Sequence, residues 1–271
     1  IIFFGHPIEY FFKRSLGINL YEKDFAVADT EPLNINKDEY NIKKLIIDNF
    51  FNKNRNKETD LKVKRYIYKY TGMLPPGGVG SVEIKHAVAH SEKFFDELKE
   101  YIDVTERKTY EISFDFNDYR LEGVLKYFHV FKDVPDIETS ADRFEDTNLV
   151  YYRPSSTKTK DKIYTWVKHV IFNYFEIKNN RKPRCTYYIG EKKNKNSSDF
   201  VLEKLAFKPY KIEEQFKFIM DTYLKGIKKP LHFYPEVSEG YFNGKNYKQL
   251  FLGYIKDNQY GYDKKDNYLV F

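Results

Sequence analysis

One cysteine, Cys185, occurs in 271 residues, which excludes an internal disulfide and fits a reducing cytoplasm. It lies in a strand-like run and reads as a small buried hydrophobe. No apolar stretch approaches the roughly 18 residues that a membrane-spanning helix needs, and the mean hydropathy is -0.68. No membrane partner is expected. A Gly-x-Ser-x-Gly elbow, a Walker loop and a dinucleotide fingerprint are all absent, so no nucleotide and no other cofactor is expected. The opening residues I-I-F-F-G-H-P lack both an initiator Met and a basic leader, and the expectation is an excised C-terminal domain. Charge of one sign is also scarce. A net +6 from 46 basic and 40 acidic residues is mild for a dedicated nucleic-acid binder. Aromatics are abundant, at 25 Tyr and 24 Phe. Because Tyr, Phe, Lys, Asn and Ile share AT-rich codons, this abundance is not taken as a sign of base stacking.

Two segments organise the rest: N-D-Y-R-L-E-G-V-L-K-Y-F-H at 117–129 and N-L-V-Y-Y-R-P-S-S at 148–156. Apolar and polar residues alternate through Tyr110, Ile112, Phe114 and Phe116, then through Leu121, Gly123, Leu125 and Tyr127. That period predicts a long hairpin turned at Asn117-Asp118, while 149–152 reads as a short buried strand. A basic residue follows each run. In metal-dependent nucleases of the restriction-enzyme type, two such strands carry an Asp and then Asp/Glu-x-Lys, whose carboxylates hold Mg²⁺. Here the corresponding positions are Lys126 and the triplet Tyr151, Tyr152, Arg153. The frame is present and the metal ligands are missing, so no metal is expected.

Four more stretches accompany these two in order: G-H-P-I-E-Y-F-F-K-R-S-L-G-I at 5–18, D-T-E-P-L-N at 29–34, G-M-L-P-P-G-G-V-G at 72–80 and K-G-I-K-K-P-L-H-F-Y-P-E at 225–236. Together the six resemble the C-terminal region of the RecC family, the gamma subunit of bacterial exodeoxyribonuclease V. The resemblance implies an α/β fold with a central mixed sheet flanked by helices, a degenerate restriction-endonuclease-like (PD-D/EXK) domain. It implies a non-catalytic DNA-handling and assembly role beside RecB-like and RecD-like subunits, on DNA ends or forked DNA. A single domain over 1–271 is expected, with a helical portion at about 36–104 and the sheet core at about 105–236.

Along the chain, 1–4 read as a strand, His6 as a cap and Pro7 as the first turn of a helix carrying Ile8, Phe11, Phe12 and Leu16, ended by Gly17. Asn36 or Asp38 would cap a helix with Ile42, Leu45, Ile46 and Phe50 inward. Residues 52–59 read as a linker. A second helix places Leu61, Ile67 and Tyr70 inward and presents Lys62, Lys64, Arg65 and Lys69 outward, and Lys62, Arg65 and Lys69 join Lys126 and Arg153 as candidate phosphate contacts. Pro75, Pro76, Gly77, Gly78 and Gly80 form a stiff glycine turn before a helix capped by Ser81. His86 and His90 share one helix face, yet Ala87 stands where a zinc enzyme has its Glu. Residues 132–147 are acidic, and Asp133, Asp136, Glu138 and Asp142 are the carboxylates nearest in sequence to the two strands. Ile163, Trp166, Val167, Val170, Ile171, Tyr174 and Phe175 form the clearest helical stripe, which predicts a crossover into a strand at 184–189. A surface tip at 191–198, a strand at 200–207, a helix over Ile212 to Gly226 and a last strand at 231–236 complete the reading.

Overall fold

Alternation with period two builds the hairpin as expected. Strands β1 (Arg107–Phe116) and β2 (Tyr119–Val130) pair antiparallel, with Tyr110 opposite Leu125, Ile112 opposite Gly123 and Phe114 opposite Leu121 on one face. Asn117 closes the two-residue turn at φ 51°, a left-handed conformation that asparagine tolerates. The computed structural model describes residues 1–19, 35, 39–51, 74–99, 107–130, 148–192 and 202–246.

β3 (Asn148–Ser156) joins β2 antiparallel, and β4 (Thr186–Glu191) then joins β3 parallel. A parallel neighbour requires a crossover. Helix α4 (Thr159–Lys178) supplies it, carrying the predicted stripe. β5 (Leu202–Phe207) closes the order β1-β2-β3-β4-β5, antiparallel to β4. The crossover strand starts later than predicted, at Thr186, because 181–185 run on from the helix as an extended loop.

Successive strand residues face opposite ways, so each side of the sheet needs a cover. On one side α2 (Glu39–Phe50) and α3 (Gly77–Leu98) lay Ile42, Ile46, Phe94 and Leu98 against Val150, Tyr187 and Ile189. On the other side Phe172 of α4 packs with Leu125, Tyr127 and Leu149. There α5 (Ile212–Gly226) and the opening residues extend the layer through Phe3, Val170, Phe216 and Ile219. The result is a mixed α/β sheet flanked by helices, as expected. Trp166 packs at the edge of that layer and donates its indole N–H to Gln215 Oε1 at 3.0 Å.

Several local expectations fail. Residues 1–4 are not a strand: Ile2–Gly5 is a 3₁₀ turn. Phe3 and Phe4 are buried in it edge to face, and Gly5 sits so close to Tyr164 that a Cβ there would collide with the phenol. α1 (Pro7–Tyr10) follows, with His6 Nδ1 accepting the Glu9 backbone N–H, so His6 is a cap. That helix widens into a π-helical turn over Phe11–Ser15, which rotates the later residues and leaves Leu16 half exposed. In α2, Ile47 rather than Leu45 completes the buried face. The glycines do not form a loop ahead of α3. They are its first turn, with Gly77 at φ 65° and Gly80 packed where a Cβ would meet the Pro75 carbonyl oxygen. Ser81 is therefore inside the helix and donates to the Gly77 carbonyl at 3.4 Å instead of capping. Residues 231–234 form no strand, and Pro235 opens α6 (Pro235–Phe242), since its fixed φ suits a first helical turn. The caps at Asn36 and Asp38, the linker at 52–59, the basic helix of Lys62, Arg65 and Lys69, the acidic stretch at 132–147 and the tip at 193–198 lie outside the described residues.

Candidate functional site

The two organising strands are antiparallel neighbours in the sheet, with Phe128 opposite Val150. The positions on them do not converge. Lys126 is exposed and lies inside β2 opposite Thr109, rather than after the strand, and its neighbours Leu125 and Tyr127 are buried. Tyr151 turns toward α4. Its ring centre is 4.4 Å from that of Tyr127, and Lys168 Nζ lies 3.9 Å over its face. Burial, followed by the Tyr151 hydroxyl, holds the Tyr127 phenol well above its ordinary pKa and keeps it neutral. Tyr152 turns the opposite way and donates to Asp48 Oδ1 of α2 at 2.8 Å.

Arg153 also lies within β3 rather than beyond it, at an irregular stretch of strand between Tyr152 and Ser156. Its Nε donates to Ser155 Oγ at 2.8 Å, its Nη1 to Asp161 Oδ1 at 2.7 Å, and its guanidinium lies 4.4 Å over the Tyr40 ring. Asp161 is buried in the first turn of α4, where its other oxygen accepts the Lys158 backbone N–H at 3.0 Å. Thus the carboxylate beside Arg153 is committed to a guanidinium and a helix start. Among the described residues no group of three or more His, Cys, Asp or Glu side chains could hold a metal ion. His86 is exposed, whereas His90 Nε2 meets Glu191 Oε1 at 3.2 Å across α3 and β4, so the histidine pair does not act as one.

Sequence reasoning missed Asp161 and Tyr40. An acid in the first turn of the crossover helix was a usable signal for the former. Nothing local marks Tyr40, because its role depends on α2 reaching the end of β3.

The crossover is locked by a buried polar network. His169 Nδ1 and Thr186 Oγ1 are 2.9 Å apart, and the Asn173 amide donates to the His169 and Arg184 carbonyls, both at 3.0 Å. Desolvation pushes His169 down from 6.5 to about 4. The folded form therefore holds a neutral ring where the unfolded chain protonates, so its stabilising effect is complete above pH 6.5 and is lost as pH falls toward 4. Denaturant titrations at pH 7 and pH 4.5 should differ by about 2–3 kcal/mol from this group alone. In His169→Gln the difference should shrink by that amount; an unchanged pH dependence would refute the assignment.

A family model described as the RecC C-terminal domain matches residues 1–246. The RecBCD enzyme subunit RecC of Buchnera aphidicola subsp. Schizaphis graminum is 26% identical over 233 residues, 85% of this chain and 19% of the relative. The subunit of the same name from Buchnera aphidicola subsp. Acyrthosiphon pisum is 23% identical over 175 residues, 64% of this chain and 14% of the relative. The chain thus spans under a fifth of the length of these relatives.

Proposed function

The chain belongs to the RecC C-terminal domain family, and on that premise we propose that it is a non-catalytic DNA-handling and subunit-assembly module of a RecBCD-type helicase and nuclease. Its setting is the recombinational repair of double-strand breaks in the cytoplasm, beside RecB-like and RecD-like subunits. We read 1–271 as one degenerate restriction-endonuclease-like domain. Two adjacent antiparallel strands followed by a crossover helix support that reading. The observation that carries the loss of catalysis is the Arg153–Asp161 pair. A guanidinium stands at the basic position of the motif, a tyrosine at its acidic one, and the neighbouring carboxylate is already satisfied. Without a metal clamp, the charge that builds on a phosphate in the transition state goes unstabilised. Of the two roles open to Arg153, we assign it the structural one. Phosphate contact is left to Lys126, Lys62, Arg65 and Lys69.

A docking domain with no DNA contact is the second reading, favoured by the mild net charge of +6. Incubating the chain with linear and forked DNA in Mg²⁺ or Mn²⁺ separates the possibilities. Intact DNA, bound more weakly as salt rises, is the expected result. Metal-dependent cleavage would mean that ligands arrive from elsewhere in the chain. No DNA binding, with capture of the RecD-like subunit retained, would leave the docking domain.

A further inference from the structure

Near the end of α4, Glu176 is fully buried, and two guanidiniums meet it: Arg181 Nη2 at 2.6 Å and Arg184 Nη2 at 3.3 Å. A buried carboxylate is tolerated only when paired, so Glu176 anchors the loop between α4 and β4. Aromatic rings fix the same basic groups further. Arg181 lies 5.3 Å over Phe175, Arg184 5.8 Å over Phe172, and Lys178 Nζ 5.2 Å over Tyr174.

The loop reads K-N-N-R-K-P-R at 178–184, four basic residues with no acid among them, and Lys178, Arg181 and Lys182 are exposed. A helix C-terminus favours one or two cations through its dipole. Four against a single carboxylate leave a surplus that this effect does not explain. Strand pairing places one more cation beside the loop. Phe207 lies opposite Thr186, which brings Lys208 to the end of the sheet where β4 begins.

We propose that this end of the sheet, centred on 178–184 and flanked by Lys208, is a contact surface for the phosphodiester backbone of nucleic acid. The proposal rests on the DNA-handling reading and adds a surface to the phosphate contacts already assigned to it. An acidic protein segment fits less well. The loop offers no exposed apolar or aromatic side chain to anchor a protein partner, because its one apolar residue, Pro183, is half-buried. Guanidiniums held in place by Glu176 and by rings lose little freedom on binding, and their planar forks match phosphate oxygens. Lys, Arg and Asn side chains on a loop, with no element shaped for a groove, imply binding without base readout.

The test compares the chain with a variant carrying Lys178→Gln, Arg181→Gln and Lys182→Gln, which leaves Arg184 to pair with Glu176. A control loses the same charge elsewhere through Lys85→Gln, Lys93→Gln and Lys217→Gln. Binding to labelled single-stranded and forked DNA is measured over a salt series, with circular dichroism to verify folding. The loop variant should bind about tenfold or more weakly at 0.1 M salt, and its slope of log affinity on log salt should be smaller by about 2, at roughly 0.7 for each lost phosphate contact on single strands. The control should stay near the parent. Equal loss in both variants, or none in the loop variant while the parent binds DNA, overturns this surface and leaves the DNA-handling reading standing. If the parent binds no DNA at all, both fall. Displacement of DNA by polyglutamate of matched charge, at equal potency, would identify an acidic protein as the partner and overturn the proposal.

Discussion

Asp161→Ala should cost about 3–5 kcal/mol of stability, because it strips the partner from a partly buried guanidinium and removes an acceptor from the first turn of α4. Asp161 is only 7% exposed and bonds both Arg153 Nη1 and the Lys158 backbone N–H. With the aspartate gone, Arg153 keeps Ser155 Oγ and the Tyr40 ring, neither of which cancels its charge. Urea unfolding followed by circular dichroism should show a lower midpoint. Arg153→Ala alone should also destabilise, and the double variant should lose less than the two single losses added. Strict additivity would mean that the two side chains do not interact in solution. The structural role assigned to Arg153 would then be lost, and with it the main support for a retired catalytic centre.

Phe216→Ala should be about as damaging, at about 3–5 kcal/mol. The ring is fully buried and stacked on Tyr174 with centroids 3.9 Å apart and planes 10° apart. Phe114 and Phe116 of the hairpin meet it edge-on at 5.4 and 5.2 Å. One side chain of α5 therefore joins the crossover helix to the tip half of the hairpin, and its removal opens a cavity among rings that cannot collapse together. Phe216→Leu should recover more than half of the loss, since most of the apolar area returns. A melting temperature unchanged in Phe216→Ala would show that the hairpin tip does not pack on α5.

Where each residue's environment is set by its own neighbours in sequence, the fold was legible. The hairpin and its turn, the crossover stripe of α4 and the apolar face of α5 all follow from periodicity, which local backbone geometry imposes directly. Errors gathered where distant packing decided the outcome. An apolar tetrapeptide at the start has no periodicity of its own, and Phe3 chose a turn because Tyr10 and Tyr223 receive its ring. Pro235 looked like the end of a strand and proved to be the start of a helix, held by Glu239 against Thr159 and Lys162 of α4.

The candidate site divides in the same way. By itself the sequence determined that the two strands carry Lys126, Tyr151 and Arg153, because identity at a spacing is a property of the chain alone. Only the tertiary structure decided what those residues do. Tyr151 and Tyr152 face opposite sides because a strand alternates, and Arg153 is engaged because the crossover returns Asp161 beside it. The basic end of the sheet was a tertiary outcome too. The loop at 178–184 and Lys208 are separate in sequence, and the antiparallel pairing of β5 with β4 brings them to the same end of the sheet.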